Sequence, residues 1–406
     1  MRLLISFAAL FVSVVLLQLG LGGVAPLDAI SGVVLGFSTA EIGMLGSAHF
    51  LGFFIGCWWA PRLMGEVGHS RAFAAFTAAG TIGILAHMML VDPIAWAVMR
   101  MSSGLCVAGC YTIIEAWLQA KVTNDTRGRA MGVYRIVDIM GSLGAQLIIA
   151  VLTPAAYLSY NLLALLCCAA LFPLTLTKVE APETPPAPRL RPSLAWRRSP
   201  LAAAGVVVSG ITGAAFRMVG PVYGVEVGLA ADQIALFLAA YVIGGAAAQL
   251  PIGWLADKFD RRTVLIGLSI AGTVACAATI LMAGAGVTAV YFAAAMFGFA
   301  TLPIYSVSTA HAHDFALPME RVELSAALMF LYAVGAIASP LLASVVIDAF
   351  GPSAMFVMIA LAHLVLIAFG LVRMRSRPAP EDRTAYTYEP RTSFLIGRLL
   401  RRGRRD

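Results

Sequence analysis

Gly253-Trp-Leu-Ala-Asp257-Lys-Phe-Asp-Arg261-Arg262 is a short charged stretch between two long apolar runs, and its meaning depends on what those runs are. The chain has 406 residues, 60% of them hydrophobic and only 12% charged, with a mean hydropathy of +0.87. Soluble domains carry about 25% charged residues. Apolar runs of about 20 residues cross the ~30 Å hydrocarbon layer as helices. Lipid offers backbone groups no partners, so only helices and closed barrels span it. A barrel would show alternating segments of about ten residues, whereas these runs are continuous. The chain therefore reads as an all-α integral membrane protein, and the quoted stretch as a turn between two spans.

Twelve transmembrane helices are expected near 4–24, 42–61, 71–91, 94–118, 130–152, 156–176, 201–222, 233–252, 263–284, 287–311, 324–347 and 354–372. The first is expected to be retained rather than cleaved as a signal peptide, because it is long for such a segment and leads into a turn at Pro26. Of the 28 Lys and Arg, 25 fall in the even-numbered connections or at the two ends of the chain. The odd connections hold only acids: Asp28, Glu41, Asp92, Glu226, Asp232 and Asp348. By the positive-inside rule both termini and the 253–262 turn are cytoplasmic. The net charge of +7 is thus a matter of topology, and no nucleic-acid partner is expected. The six cysteines (Cys57, Cys106, Cys110, Cys167, Cys168 and Cys276) all lie in apolar runs, as small buried hydrophobes rather than a disulfide or metal set.

The domains read as a six-helix half over 1–176, a Pro- and Arg-rich cytoplasmic linker over 177–200, a second six-helix half over 201–373, and a basic tail over 374–406. The linker is expected to be extended. In the tail, Phe394–Leu400 reads either as a short helix on anionic lipid or as a solvated basic segment. At an offset of 192 positions, Gly36 falls on Gly228, Ile42 on Ile234 and Gly52 on Gly244; at 194, Gly141 falls on Gly335. Six spans per repeat leave the halves in the same orientation, as parallel repeats about an axis along the membrane normal.

Several motifs now carry a resemblance. The opening stretch resembles the loop motif of the major facilitator superfamily, Gly-x-Leu-Ala-Asp-Arg/Lys-x-Gly-Arg-Arg, with Asp260 in place of the second Gly. The first-half copy, Pro61 to Arg71, is degenerate and has Gly65 at the Asp position. Arg100-x-x-Ser103-Gly104 resembles the family's Arg-x-x-Gln-Gly pattern in span four. Glu115, Arg127-Gly-Arg129, Pro303 and His311-Ala-His313-Asp314 are similar to the YcaD-like bacterial branch of the family. Span five carries Gly141-Ser-Leu-Gly144 without the Gly-Pro pair of the family's antiporter motif. The resemblance implies a transporter whose halves rock about a central cavity, and it implies a cytoplasmic gate at Gly253, Asp257, Arg261 and Arg262.

An ionisable side chain at bilayer depth costs roughly 2.5–3.5 kcal/mol to insert, so each is a candidate site. Arg135 and Asp138 stand three residues apart on one face of span five. They read as a self-neutralising pair or as a proton or substrate site. Arg217 has no acid within a helical turn. It reads as an anion-binding guanidinium, or as one that snorkels or pairs with an acid such as Asp28. Glu115 is either a proton carrier or the partner of Arg127 or Arg129. Arg100 is linked to proton coupling by the resemblance, and an interface anchor is the other reading. His49 and Tyr241 occupy equivalent positions three residues before Gly52 and Gly244, as paired substrate contacts or packing residues. Gln18, Gln146 and Tyr305 are weaker substrate contacts. His311 and His313 fall on different helix faces, so no metal is expected.

Together these point to a secondary transporter moving a small organic solute, anionic if Arg217 binds it, across a bacterial inner membrane, with proton coupling. No Walker-type phosphate loop is present, and no enzyme activity or cofactor is expected; the chain is expected to act as a monomer, with membrane lipid as the remaining partner. The alternative is a non-transporting sensor or scaffold on the same fold.

Overall fold

The protein, seen in a computed structural model, is described over residues 2–121, 124–175 and 190–376. Among these the only regular elements are helices. The first half runs α1 (Arg2–Gly22), α2 (Val24–Val34), α3 (Thr39–Val67), α4 (His69–Ala86), α5 (Pro93–Lys121), α6 (Asn124–Leu147), α7 (Tyr157–Ala169) and α8 (Leu171–Thr175). The second runs α9 (Pro192–Arg198), α10 (Pro200–Glu226), α11 (Ala231–Lys258), α12 (Arg261–Met282), α13 (Val287–Thr301), α14 (Ile304–His313), α15 (Arg321–Phe350) and α16 (Ala354–Ser376). Two compact units are built mainly on these two sets.

Eleven stretches of the described chain are long and apolar enough to cross a bilayer. The remaining expected span is α4, whose 18 residues open on His69-Ser70-Arg71 and are less apolar for that reason. Leu158, Leu250, Leu281 and Phe350 stand almost fully exposed. Lipid tolerates such an apolar exterior and water does not.

Several spans run on through prolines. Residues Phe7–Val34 form one crossing, because Pro26 sits in the first turn of α2, where its missing N–H leaves no intrahelical bond unmade. Asp28 therefore lies in a helix, buried, and not in a connection. Pro221 is internal to α10, which continues to Glu226. Arg217 is nine residues from that helix end, roughly 13 Å. The 253–262 stretch is mostly helix as well: α11 runs through Lys258, and only Phe259 and Asp260 separate it from α12. Asp260 is extended and accepts the Arg262 N–H at 2.9 Å, so it caps α12.

The linker also departs from expectation where it is described. Residues 192–198 are a helix, α9, with Pro192 at its first position. Arg198 donates to Glu320 at 2.7 Å, and Trp196 stacks on Phe369 of α16. The earlier part of the linker and the tail segment Phe394–Leu400 lie outside the described residues.

Each half is packed by the same device. In the first, a Cβ on Gly52 of α3 would collide with the Met101 carbonyl of α5, and one on Gly104 with the His49 carbonyl. In the second, Gly244 of α11 meets the Ala295 carbonyl of α13 and Gly298 meets that of Tyr241. Backbones this close need Gly on both helices. Gly36 and Gly228 both have φ near +80° and close matching caps: Phe37 N–H bonds Gly32 O, and Leu229 N–H bonds Gly224 O.

Candidate functional site

Asp138 of α6 gathers groups from three helices. Its Oδ1 accepts from Gln18 Nε2 of α1 at 2.7 Å and from Tyr111 Oη of α5 at 2.9 Å, and Oδ2 lies 3.7 Å from Arg135 Nη1. The two charged side chains remain 17% and 14% exposed, neither sealed nor solvated. The expected Arg135–Asp138 pair is present but loose. The tighter bonds come from Gln18, expected as a substrate contact, and from Tyr111, which sequence reasoning missed. A neutral tyrosine in an apolar run carries no charge to flag it.

A second cluster lies around Asp28. Its Oδ1 accepts from Tyr160 Oη of α7 at 2.9 Å. Its Oδ2 lies 3.4 Å from both Arg100 Nε of α5 and His87 Nε2 at the end of α4. His87 and Arg100 are 0% and 1% exposed, which rules out Arg100 as an interface anchor and engages Asp28 away from Arg217. His87, Tyr160 and Asp28 were not expected here. The signal for Asp28 was available in the apolar run Ala29–Leu35 that follows it.

The third group sits where α11 meets α12. Arg261 donates to Asp314 Oδ1 at 2.6 Å, to the Ala310 carbonyl at 3.0 Å, to the Ala256 carbonyl at 3.3 Å and to Asp257 at 3.5 Å. Asp314 is 1% exposed and Asp257 52%, so Asp314 is the main partner and Asp257 the minor one. Arg262 clasps Asp260 instead, with Nη2 at 2.6 Å. Burial alone would push the Asp260 carboxyl up, but hydrogen bonds and charge from Arg262 outweigh it and hold it below the usual range. Its stabilising contribution is therefore complete above the ordinary carboxylate value and is lost as pH falls through the lowered one. Glu320 is likewise held low by its bond to Arg198. Gly253 is buried in the last turns of α11.

The other expected residues lie apart on their own elements. Arg217 is exposed on α10 and meets no acid among the described residues. His49 sits edge-on to Phe50, while Tyr241 packs 4.3 Å from Phe216. Their equivalence comes from the carbonyls that each lays against a glycine, which favours the packing reading. Gln146 is buried in α6, and Tyr305 meets Tyr332 edge-on at 5.4 Å. Glu115 is fully buried; the Arg127 and Arg129 side chains lie outside those described. His313 pairs with Ser325 at 3.1 Å.

Residues 202–405 match the family model described as Major Facilitator Superfamily. The chain is 25% identical over 350 residues, 84% of its length and 89% of the relative's, to the uncharacterized MFS-type transporter YcaD of Salmonella heidelberg (strain SL476). It is 25% identical over 347 residues, with the same coverage of each, to the MFS-type transporter Ent638_1421 of Enterobacter sp. (strain 638). Among solved structures it resembles a bacterial homolog of the human lysosomal transporter Spinster, with TM-score 0.77 and 15% identity over 94% of this chain and 98% of that one. It also resembles the nucleoside transporter NupG, with TM-score 0.74 and 15% identity over 93% and 100%. At such identities the two structures speak for the fold alone, and the family model speaks for descent. The chain belongs to the Major Facilitator Superfamily and is a multi-pass membrane transporter, not an enzyme.

Proposed function

We propose that the protein is a secondary active transporter that moves a small organic anion across a bacterial inner membrane, coupled to protons, with both termini cytoplasmic. The observation that carries this reading is the Asp138 cluster. A carboxylate eight residues inside the Ala130–Val151 span, roughly 12 Å deep, is held by polar groups from α1, α5 and α6. Such a group costs insertion energy that a scaffold has no use for. In the neutral state Asp138 no longer holds Arg135, which frees that guanidinium for a solute carboxylate or phosphate. Arg217, exposed on α10, is a second guanidinium suited to such an anion.

Alternating access is the mode of movement. The Arg261–Asp314 pair, which ties the 253–262 segment to the end of α14, and the Arg262–Asp260 clasp act as the cytoplasmic gate of the second half. Thermal-shift titration of the purified protein with anionic, zwitterionic and cationic solutes tests the substrate class. Anions stabilise the wild type and fail to stabilise Arg217→Ala. Stabilisation by cations alone, equal in both proteins, would end the anion reading.

A further inference from the structure

The short helix α9 divides its side chains between two tasks. Arg191, Ala195 and Arg198, spaced four and three residues apart, share one face. Ala195 is fully buried there, Arg198 pairs with Glu320 at 2.7 Å, and Arg191 lies 3.4 Å from Glu323 at the start of α15. Trp196 and Arg197 come next around the helix, and both are exposed. Trp196 still has a neighbour: the Phe369 ring of α16, 6.1 Å between centroids and 21° from parallel. Arg373 stands four residues beyond Phe369, on the same face of α16, and Arg375 shares its last turn. Glu320 and Glu323 are taken up by Arg198 and Arg191. Arg197, Arg373 and Arg375 enter no ion pair among the described residues.

The surface of α16 leading to this corner is apolar: Val365, Leu371 and Val372 are 69%, 62% and 51% exposed in the order Val365, Val372, Leu371. Such a surface suits acyl chains, and it stops at Arg373. An aromatic ring and basic groups at the end of an acyl-facing surface belong to the headgroup layer. Guanidinium groups present planar donors that match phosphate oxygens. We propose that the corner between α9 and the end of α16 binds an anionic phospholipid. Arg197 and Arg373 donate to its phosphate, and its chains lie along α16 beside Trp196. A free phosphate offers the same oxygens but has no use for the apolar surface, which assigns the site to lipid. Trp196 and Arg198 belong to one seven-residue helix, so a lipid seated there also braces α9 against α15 and α16. The site is separate from Asp138 and does not depend on what the protein carries.

The test titrates the full chain, in a neutral detergent, with phosphatidylglycerol or phosphatidylcholine and counts bound lipid by native mass spectrometry. The wild type should retain phosphatidylglycerol in preference. Arg197→Gln and Arg373→Gln together should weaken that retention roughly 30-fold, the effect of two basic groups at an anionic lipid surface. Arg71→Gln, which removes an exposed charge from the first half, should leave it unchanged. Inorganic phosphate at the same concentration should not compete. A photo-crosslinking phosphatidylglycerol locates the site in the wild type without any variant, and its adducts should fall within residues 190–200 and 366–376. Equal retention of the two lipids, undiminished retention in the double variant, displacement by inorganic phosphate, or adducts confined to other segments would each overturn the proposal.

Discussion

Arg261 takes acceptors from both α11 and the end of α14, and its place in the sequence motif does not reveal which of them matters. The exposed Asp257, four residues away, is the partner that the motif suggests; Asp314, 53 residues on, is the partner that shares its burial. Removing one member of a buried pair leaves an uncompensated charge and costs about 3–5 kcal/mol, whereas exposed partners are screened by water. Asp314→Ala should therefore lower the melting temperature of the purified protein sharply, and Asp257→Ala should barely move it. Equal losses in the two would contradict the assignment. The residue list itself was legible, because a charged side chain in an apolar run stands out: Arg100, Arg135, Asp138, Arg217 and Arg261 were all visible. Their partners were harder to see. Tyr111, Tyr160 and His87 are ordinary helix residues until folding brings another helix's carboxylate to them.

The helices were legible from their apolar runs, and their ends were not. Pro26 read as a turn, yet it lies inside a helix, as Pro61, Pro221 and Pro251 also do. A first-turn proline costs nothing, and in a membrane neighbouring helices satisfy the carbonyl that an interior proline frees. The glycine repeat was read correctly as a repeat, and its meaning became clear only in the packing. Gly52 and Gly104 set the α3–α5 approach as Gly244 and Gly298 set that of α11 and α13. Because each faces a backbone carbonyl that no rotamer change can clear, Gly52→Ala and Gly244→Ala should each force their helices apart. The expected loss is about 1–3 kcal/mol, or more, read by thermal unfolding in detergent. Gly132→Ala and Gly267→Ala, inside helices and open onto space, serve as controls and should cause no loss of stability. A similar loss in the controls would contradict the packing role.

Two halves with matching helix crossings and matching caps are built to behave alike, and their polar contents differ. The first half holds Asp138 with Arg135 and Asp28 with Arg100; the second holds Arg217 exposed and Arg261 locked to Asp314. Proposed proton chemistry thus collects in one half and the proposed gate in the other, an asymmetry that the repeat does not require. The central claim is that flux through the protein depends on an ionisable Asp138. Its most direct test is reconstitution into liposomes with a pH gradient and a mixed library of organic acids, amino acids, sugars and nucleosides. Internal solutes are read by mass spectrometry and internal pH by an entrapped dye. The account predicts gradient-driven movement of an organic anion with accompanying proton flux in the wild type, and loss of that driven movement in Asp138→Asn with solute exchange retained. Gradient-driven transport persisting undiminished in Asp138→Asn would contradict it.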